Sequence, residues 1–158
     1  MAAVRSLSKF FSLRSFSTTT KRAYADQMSF TFAAGNQVYY EAKSVKQVDV
    51  PSFSGSFGIL PAHVPTLAVL KPGVVSVYED SGNVNKIFVS SGTVTINDDS
   101  SVQILAEEAH PVANIDVGTA RDILSKAQSE LSSATNDQAR AEAEIAIEVG
   151  EALVKAAE

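Results

Sequence analysis

Apolar and polar residues alternate in short runs through the first two thirds of the chain. From residue 28 to about residue 109 these runs are rich in Val, Ile, Phe and Thr, and clusters of Gly, Pro, Asn and Ser separate them. Val48 and Val50 on either side of Asp49 show the period of two that a half-buried strand requires. About eight to ten short strands at this spacing predict an antiparallel β-sandwich, with a barrel as the alternative.

At Pro111 the apolar spacing changes to the three- and four-residue steps of a helix. Asn114 or Asp116 is a candidate cap for a first helix, and the break at Thr135-Asn136-Asp137 supplies the cap of a second. A connection this short makes the two helices antiparallel neighbours. The apolar stripes are Ala120, Ile123, Leu124, Ala127, Leu131 and Ala134 in the first helix, and Ala139, Ala143, Ala146, Ile147, Gly150, Leu153, Val154 and Ala157 in the second.

The facing sides of this predicted hairpin consist mostly of Ala and Gly. Such small residues let two helix backbones approach closely, so we interpret Gly150 as a contact position. Two thin helices bury little apolar area, and the hairpin is therefore expected to lean on the sandwich or on another protein. The predicted packing residues are Leu124, Leu131, Ala143, Gly150 and Leu153.

The first 24 residues differ from the rest in composition. They are rich in Ser, Thr and Phe, contain no Asp or Glu, and hold five basic residues, Arg5, Lys9, Arg14, Lys21 and Arg22. This composition predicts a mitochondrial transit peptide over residues 1–24 with a mature start near Ala25; a disordered basic tail is the alternative. A β-sandwich domain over residues 25–112 and a helical hairpin over residues 113–158 complete the predicted organisation.

Removal of this leader would leave eight basic residues against 18 acidic ones, a net charge of −10. Such an acidic chain is unsuited to nucleic acid, which is bound through clustered Lys and Arg. No apolar run approaches the ~20 residues of a membrane span, so we expect a chain that does not cross the membrane. The absence of Cys excludes disulfides and cysteine metal sites, and no cofactor is expected.

Few residues could support catalysis. His63 lies on a proline-flanked segment, Leu60-Pro61-Ala62-His63-Val64-Pro65, and Glu107 and Glu108 are adjacent carboxylates. Neighbouring strand residues point to opposite faces, so the two glutamates converge only if the strand has ended before them. No nucleophile, base and orienting group share a recognisable spacing. A small hydrolase that uses His63 is therefore the weaker hypothesis. The glycine-bearing run 53–59 is predicted to be a turn rather than a phosphate loop.

Several segments resemble the family of delta subunits of mitochondrial F-type ATP synthases, the counterparts of bacterial epsilon subunits. The most specific is Gly58-Ile59-Leu60-Pro61-Ala62-His63-Val64-Pro65. Matching segments occur in the same order along the mature chain: Met28–Phe32, Val48–Pro51, Pro72–Val74, Phe88–Gly92, Leu105–Ala109 and Glu151–Ala156.

The resemblance implies a non-catalytic rotor subunit on the matrix side of the mitochondrial inner membrane. Such a subunit joins the gamma subunit and the small epsilon subunit in the central stalk and seats the stalk on the ring of c subunits. The family pattern puts residues 54–63 at the ring-facing end, so Ser56, Phe57 and His63 are the expected contacts with the ring loops. The alternative is a regulatory brake whose hairpin leaves the sandwich and inhibits ATP hydrolysis.

One motif departs from the family pattern. Some bacterial relatives bind ATP through Ile/Leu-Asp-x-x-Arg-Ala at the start of the first helix. This chain has Thr119 in the arginine position of Ile115–Ala120, and Arg121 comes two residues late. A triphosphate would lose its main cation there, so nucleotide binding is not expected.

Overall fold

The computed structural model describes residues 27–158, and the predicted transit peptide lies outside the described residues. Within this range nine strands precede a 3-10 turn and two helices. The strands are β1 (Met28–Ala34), β2 (Val38–Ser52), β3 (Gly55–Ile59), β4 (Thr66–Leu70), β5 (Gly73–Glu79), β6 (Val84–Val89), β7 (Gly92–Ile96), β8 (Ser101–Ala106) and β9 (Ala109–Pro111). The 3-10 turn is Val112–Asn114, and the helices are α1 (Val117–Ser133) and α2 (Asp137–Ala157).

The strands follow the order β1-β8-β7-β4-β2-β5-β6-β9, with β3 beside β2. The long strand β2 pairs with β1, β3, β4 and β5, and thereby joins the two layers of the sandwich. All pairings are antiparallel except that of β1 with β8, which is parallel. The predicted sandwich and hairpin are thus confirmed, with one parallel pair in an otherwise antiparallel sheet.

Strand β1 shows how the apolar pattern builds the core. Met28, Phe30 and Phe32 are buried, while Ser29 and Thr31 between them face outward. The ring of Phe30 packs against that of Tyr40, with centroids 5.2 Å apart. Each large apolar side chain that is fully buried contributes ~1.5–3 kcal/mol, so this alternation fixes which face of the strand points inward.

Two local predictions need correction. Short strands were predicted throughout, but the apolar runs Val38–Tyr40 and Val45–Val50 belong to one strand of 15 residues, β2. Ala42 has a φ of 45°, and the register against β1 shifts beside it, so a bulge interrupts the apolar pattern without ending the strand. The run 53–59, predicted to be a turn, contains β3, which pairs with β2 from Val48↔Ile59 to Ser52↔Gly55.

Both helices begin at a side-chain cap. The carboxylate of Asp116 accepts a hydrogen bond from the Thr119 amide at 2.7 Å, so Asp116 and not Asn114 caps α1. The Asn136 side-chain oxygen accepts from the Ala139 amide in the same way at the start of α2. α2 packs beside β5 and the 3-10 turn, so the hairpin lies against the sandwich. No helix of residues 27–158 is both long and apolar enough to cross a membrane.

Candidate functional site and interaction surfaces

The loop between β3 and β4 is held by hydrogen bonds at both ends. The His63 amide donates to the Leu60 carbonyl at 3.1 Å, and the Ala62 amide donates to Ser100 Oγ at 3.1 Å. His63 Nδ1 lies 2.8 Å from the Val64 carbonyl, and because a carbonyl only accepts, Nδ1 carries a proton. Ala62 has a φ of 61°. These bonds hold His63 in one orientation on a tight turn.

Only two of the three predicted ring-contact residues come together. The Phe57 and His63 rings lie with centroids 6.1 Å apart and planes inclined by 31°. Ser56 precedes Phe57 on β3, so its side chain points to the opposite face. It lines a cleft of about 490 Å³ between the sandwich and α2, together with Lys71 and Glu148. Contact of all three residues with ring loops stays a prediction.

The segment around this loop is free of charge. From Val50 to Leu70 the sequence holds no Asp, Glu, Lys or Arg, although a fifth of the whole chain is charged. Leu60 and Val64 at the loop tip are largely exposed, and Phe53, whose amide donates to the Val69 carbonyl at 3.3 Å, is 70% exposed. Sequence reasoning missed these apolar side chains, although the length of the uncharged stretch was a signal for them.

The exposed apolar surface continues onto the outer face of β4, β7 and β8. Leu67 is 73% exposed, Val69 54% and Leu105 60%. The pairing register aligns Val69 with Thr93 and Thr93 with Leu105, so these side chains form one row across three strands. We call this surface the uncharged face and define it by Leu67, Val69, Thr93, Thr95, Gln103 and Leu105.

The layer that contains β2, β5 and β6 carries charged and polar groups instead. Lys43 Nζ lies 2.6 Å from Glu79 Oε1, and this hydrogen bond lowers the pKa of Glu79 and raises that of Lys43. The Tyr40 hydroxyl accepts from Asn85 Nδ2 at 2.7 Å, and burial raises the pKa of Tyr40. The two layers therefore differ in what they can bind: one presents charge, the other presents apolar side chains.

The other catalytic candidates, Glu107 and Glu108, lie on an exposed turn. Strand β8 ends at Ala106, so Glu107 and Glu108 lie in the turn before β9, where both are exposed. The Glu107 amide donates to the Ser91 carbonyl at 3.1 Å. Among residues 27–158, no group of three or more His, Asp or Glu side chains is arranged to hold a metal ion.

The start of α1 has Thr119 at the arginine position of the motif discussed above, and its charged side chain is the carboxylate of Asp116. Asp116 caps the helix, and its hydrogen bond from the Thr119 amide lowers the pKa of Asp116. A cavity of about 380 Å³ beside it is lined by eight residues, none of them Lys or Arg. Arg121 instead pairs with Glu158 at 2.9 Å. An incoming phosphate would meet a negative charge at this helix end.

The predicted hairpin residues lie at and around the helix contact. A Cβ built on Gly150 would lie 3.2 Å from both Cα and Cβ of Leu124, so the two helices touch at this point. Ala143 is buried, and Leu131 and Leu153 are half-buried. Their role in any assembly stays a prediction.

The exposed apolar side chains of the uncharged face are typical of a class of protein that works through contacts with other chains. The family model for the β-sandwich domain of the ATP synthase delta/epsilon chain matches residues 27–112. The model for the C-terminal domain of the metazoan delta subunit of F1F0-ATP synthase matches residues 115–156. The chain therefore belongs to the delta/epsilon family of ATP synthase subunits, which confirms the resemblance found in the sequence.

Individual relatives agree with this family membership. The chain is 46% identical over 155 residues to the mitochondrial ATP synthase subunit delta of Caenorhabditis elegans, covering 92% of this chain and 94% of that protein. It is 39% identical to the same subunit of Kluyveromyces lactis, covering 97% and 95%. The fold matches a chain in a cryo-EM structure of the Euglena gracilis mitochondrial ATP synthase, described as OSCP/F1/c-ring, with a TM-score of 0.80, 24% identity, and coverage of 98% of this chain and 100% of that one.

Proposed function

We propose that this chain is a non-catalytic subunit of the central stalk of a mitochondrial F-type ATP synthase. In that position it couples rotation of the c-ring to the gamma subunit during proton-driven ATP synthesis, on the matrix side of the inner membrane. The support is the family membership, the mitochondrial relatives named subunit delta, and the likeness in fold to a chain of an assembly that contains a c-ring.

The uncharged face is the observation that carries this proposal. Large exposed apolar surfaces on a soluble chain mark sites of protein interaction. We assign the uncharged face to the gamma subunit, and the loop tip with Phe57 and His63 to the c-ring loops. The tied loop and the closely packed sandwich suit this task, because a part that transmits torque must not yield under load. The hairpin then remains for contact with the small epsilon subunit.

Substitutions on the uncharged face test the proposal. In tagged protein purified from mitochondria, wild type should co-isolate with gamma and c subunits. The double change Leu67→Lys and Val69→Lys should lower the recovered gamma subunit at least about tenfold, because a charge buried without a partner costs several kcal/mol. Val38→Lys, at an exposed position of β2 outside the surfaces assigned to partners, is the matched control and should co-isolate as wild type does. Recovery of wild type as a lone monomer would refute the proposal.

A further inference from the structure

Half of strand β6 has an open edge. The whole strand pairs with β5, from Val84↔Tyr78 to Val89↔Gly73. On its other side β9 covers only Ile87–Val89, and no other strand of residues 27–158 pairs there. Val84, Asn85 and Lys86 are all exposed. Because alternate residues of a strand direct their N–H and C=O groups to opposite neighbours, this edge offers unpaired backbone groups.

The chain cannot close this edge by extending β9. The last pairing of β9 sets Pro111 opposite Ile87, and proline has no N–H to donate to the ladder. The backbone then leaves the sheet in the 3-10 turn Val112–Asn114. This departure opens a groove of about 610 Å³ between the turn and β6.

The groove is mostly apolar, and the hydroxyl groups of its two tyrosines already have hydrogen-bond partners. Its lining includes Tyr39 and Tyr40 of β2, Val84 and Ile87 of β6, and Val112 of the 3-10 turn. The Tyr39 hydroxyl donates to the Ala109 carbonyl, and the Tyr40 hydroxyl accepts from Asn85. Lys86 is the only charged side chain among the lining residues. A ligand therefore meets apolar walls, one positive charge and a strand edge.

We propose that the open edge of β6 binds an extended segment of another polypeptide, which adds a short strand in line with β9. Its backbone pairs with residues 84–86, an apolar side chain fills the groove lined by Tyr39 and Tyr40, and an acidic side chain reaches Lys86. A strand edge selects an extended backbone and adjacent pockets select its side chains, which is the general mode of β-augmentation. The inference rests on the proposed function, since the segment belongs to another subunit of the same assembly.

Amide hydrogen exchange tests this pairing directly. Exchange at residues 84–86 is compared between the full chain alone and the chain in the ATP synthase purified from mitochondria. We expect at least about tenfold slower exchange at one or more of these amides in the complex, because hydrogen-bonded amides exchange only on opening. Protection that already appears in the isolated chain and grows with its concentration would overturn the proposal in favour of a second copy.

Because the chain has no Cys, a single introduced thiol gives an independent readout. Val84→Cys should react with a maleimide at least about tenfold more slowly in the complex than in the isolated chain, whereas the control Val38→Cys, outside the groove, reports general access. Slower labelling without amide protection would mean side-chain contact only and would overturn strand pairing.

Failure of the chain to co-isolate with ATP synthase overturns the proposed function as well. Co-isolation with unprotected amides at residues 84–86 overturns this inference alone.

Discussion

At the scale of single residues, Gly92 shows how one position can depend on the absence of a side chain. It opens β7 with a φ of 153°, and an added Cβ would lie 2.3 Å from the Leu105 carbonyl oxygen. The contacted atoms of β8 are backbone atoms, so no side-chain rotation can relieve the clash. Glycine is therefore required here by a close approach between two strands.

We predict that Gly92→Ala lowers the free energy of unfolding by about 2 kcal/mol or more, from backbone strain and overpacking together. Urea unfolding followed by circular dichroism measures this loss. Gly82→Ala is the matched control: Gly82 has a φ of 90°, but no atom lies within 4 Å of its added Cβ, so only the strain applies. Equal losses for the two variants would show that the contact with β8 does not matter.

The contribution of the Asp116 cap to stability depends on pH. Its pKa is lowered in the folded chain by the hydrogen bond from the Thr119 amide. Its contribution to stability is thus fully present above the unfolded pKa and is lost as the pH falls through the lower, folded pKa. We predict that Asp116→Ala is less stable than wild type at pH 7 and that the difference shrinks on acidification below about pH 4.

The control for this prediction is Asp116→Asn, which keeps a capping oxygen but cannot titrate. Its stability should lie between those of wild type and the alanine variant, without the acid-dependent loss at this site. Urea midpoints at several pH values give the comparison. A difference between wild type and Asp116→Ala that stays constant down to pH 2 would contradict the role of the carboxylate.

At the scale of elements, the hairpin depends on one close contact. Gly150 lies against Leu124 of α1, and a large side chain would push the helices apart. We predict that Gly150→Leu destabilises the chain by ~1 to 3 kcal/mol. Ala141→Leu adds a side chain of the same size to an exposed position of α2 and should change stability by less than about 0.5 kcal/mol. Unchanged thermal stability of the Gly150 variant would place it away from the contact.

Most elements could be predicted from apolar periodicity, and the failures have a common cause. Both helices, the Asn136 cap and the inward faces of the strands follow from local pattern. The bulge at Ala42 and the parallel pairing of β1 with β8 depend on partners far along the chain, which no local window contains. The uncharged face was missed for the same reason, because Val69 and Leu105 come into one row only through Thr93 of β7.

For the molecule as a whole, the net charge of the hairpin favours the rotor hypothesis over the brake hypothesis. Residues 115–158 hold nine acidic and four basic residues, a net charge of −5. The brake hypothesis requires the hairpin to meet acidic loops of a catalytic head. An acidic hairpin would be repelled by such loops, because like-charge contacts cost several kcal/mol. We therefore expect the hairpin to stay against the sandwich or the small epsilon subunit in every catalytic state.

Deletion of residues 115–158 separates the two functions. We predict loss of assembly or of coupling in complexes that carry the shortened chain, because we expect the hairpin to act as a structural support. ATP hydrolysis by the purified complex is the measurement, and complexes with the full-length chain are the control. An intact complex with markedly faster hydrolysis would identify the hairpin as a brake.

We propose that this chain transmits rotation and performs no chemistry. Proton-driven ATP synthesis by inner-membrane vesicles is the direct test of this role. The vesicles are prepared from mitochondria depleted of the chain, and either the wild-type chain or the His63→Ala variant is then added to them. We predict that depletion abolishes synthesis, that wild type restores it, that His63→Ala restores it less well, and that the purified chain alone hydrolyses neither ATP nor esters. Undiminished synthesis after depletion, or turnover by the isolated chain that His63→Ala removes, would contradict the account.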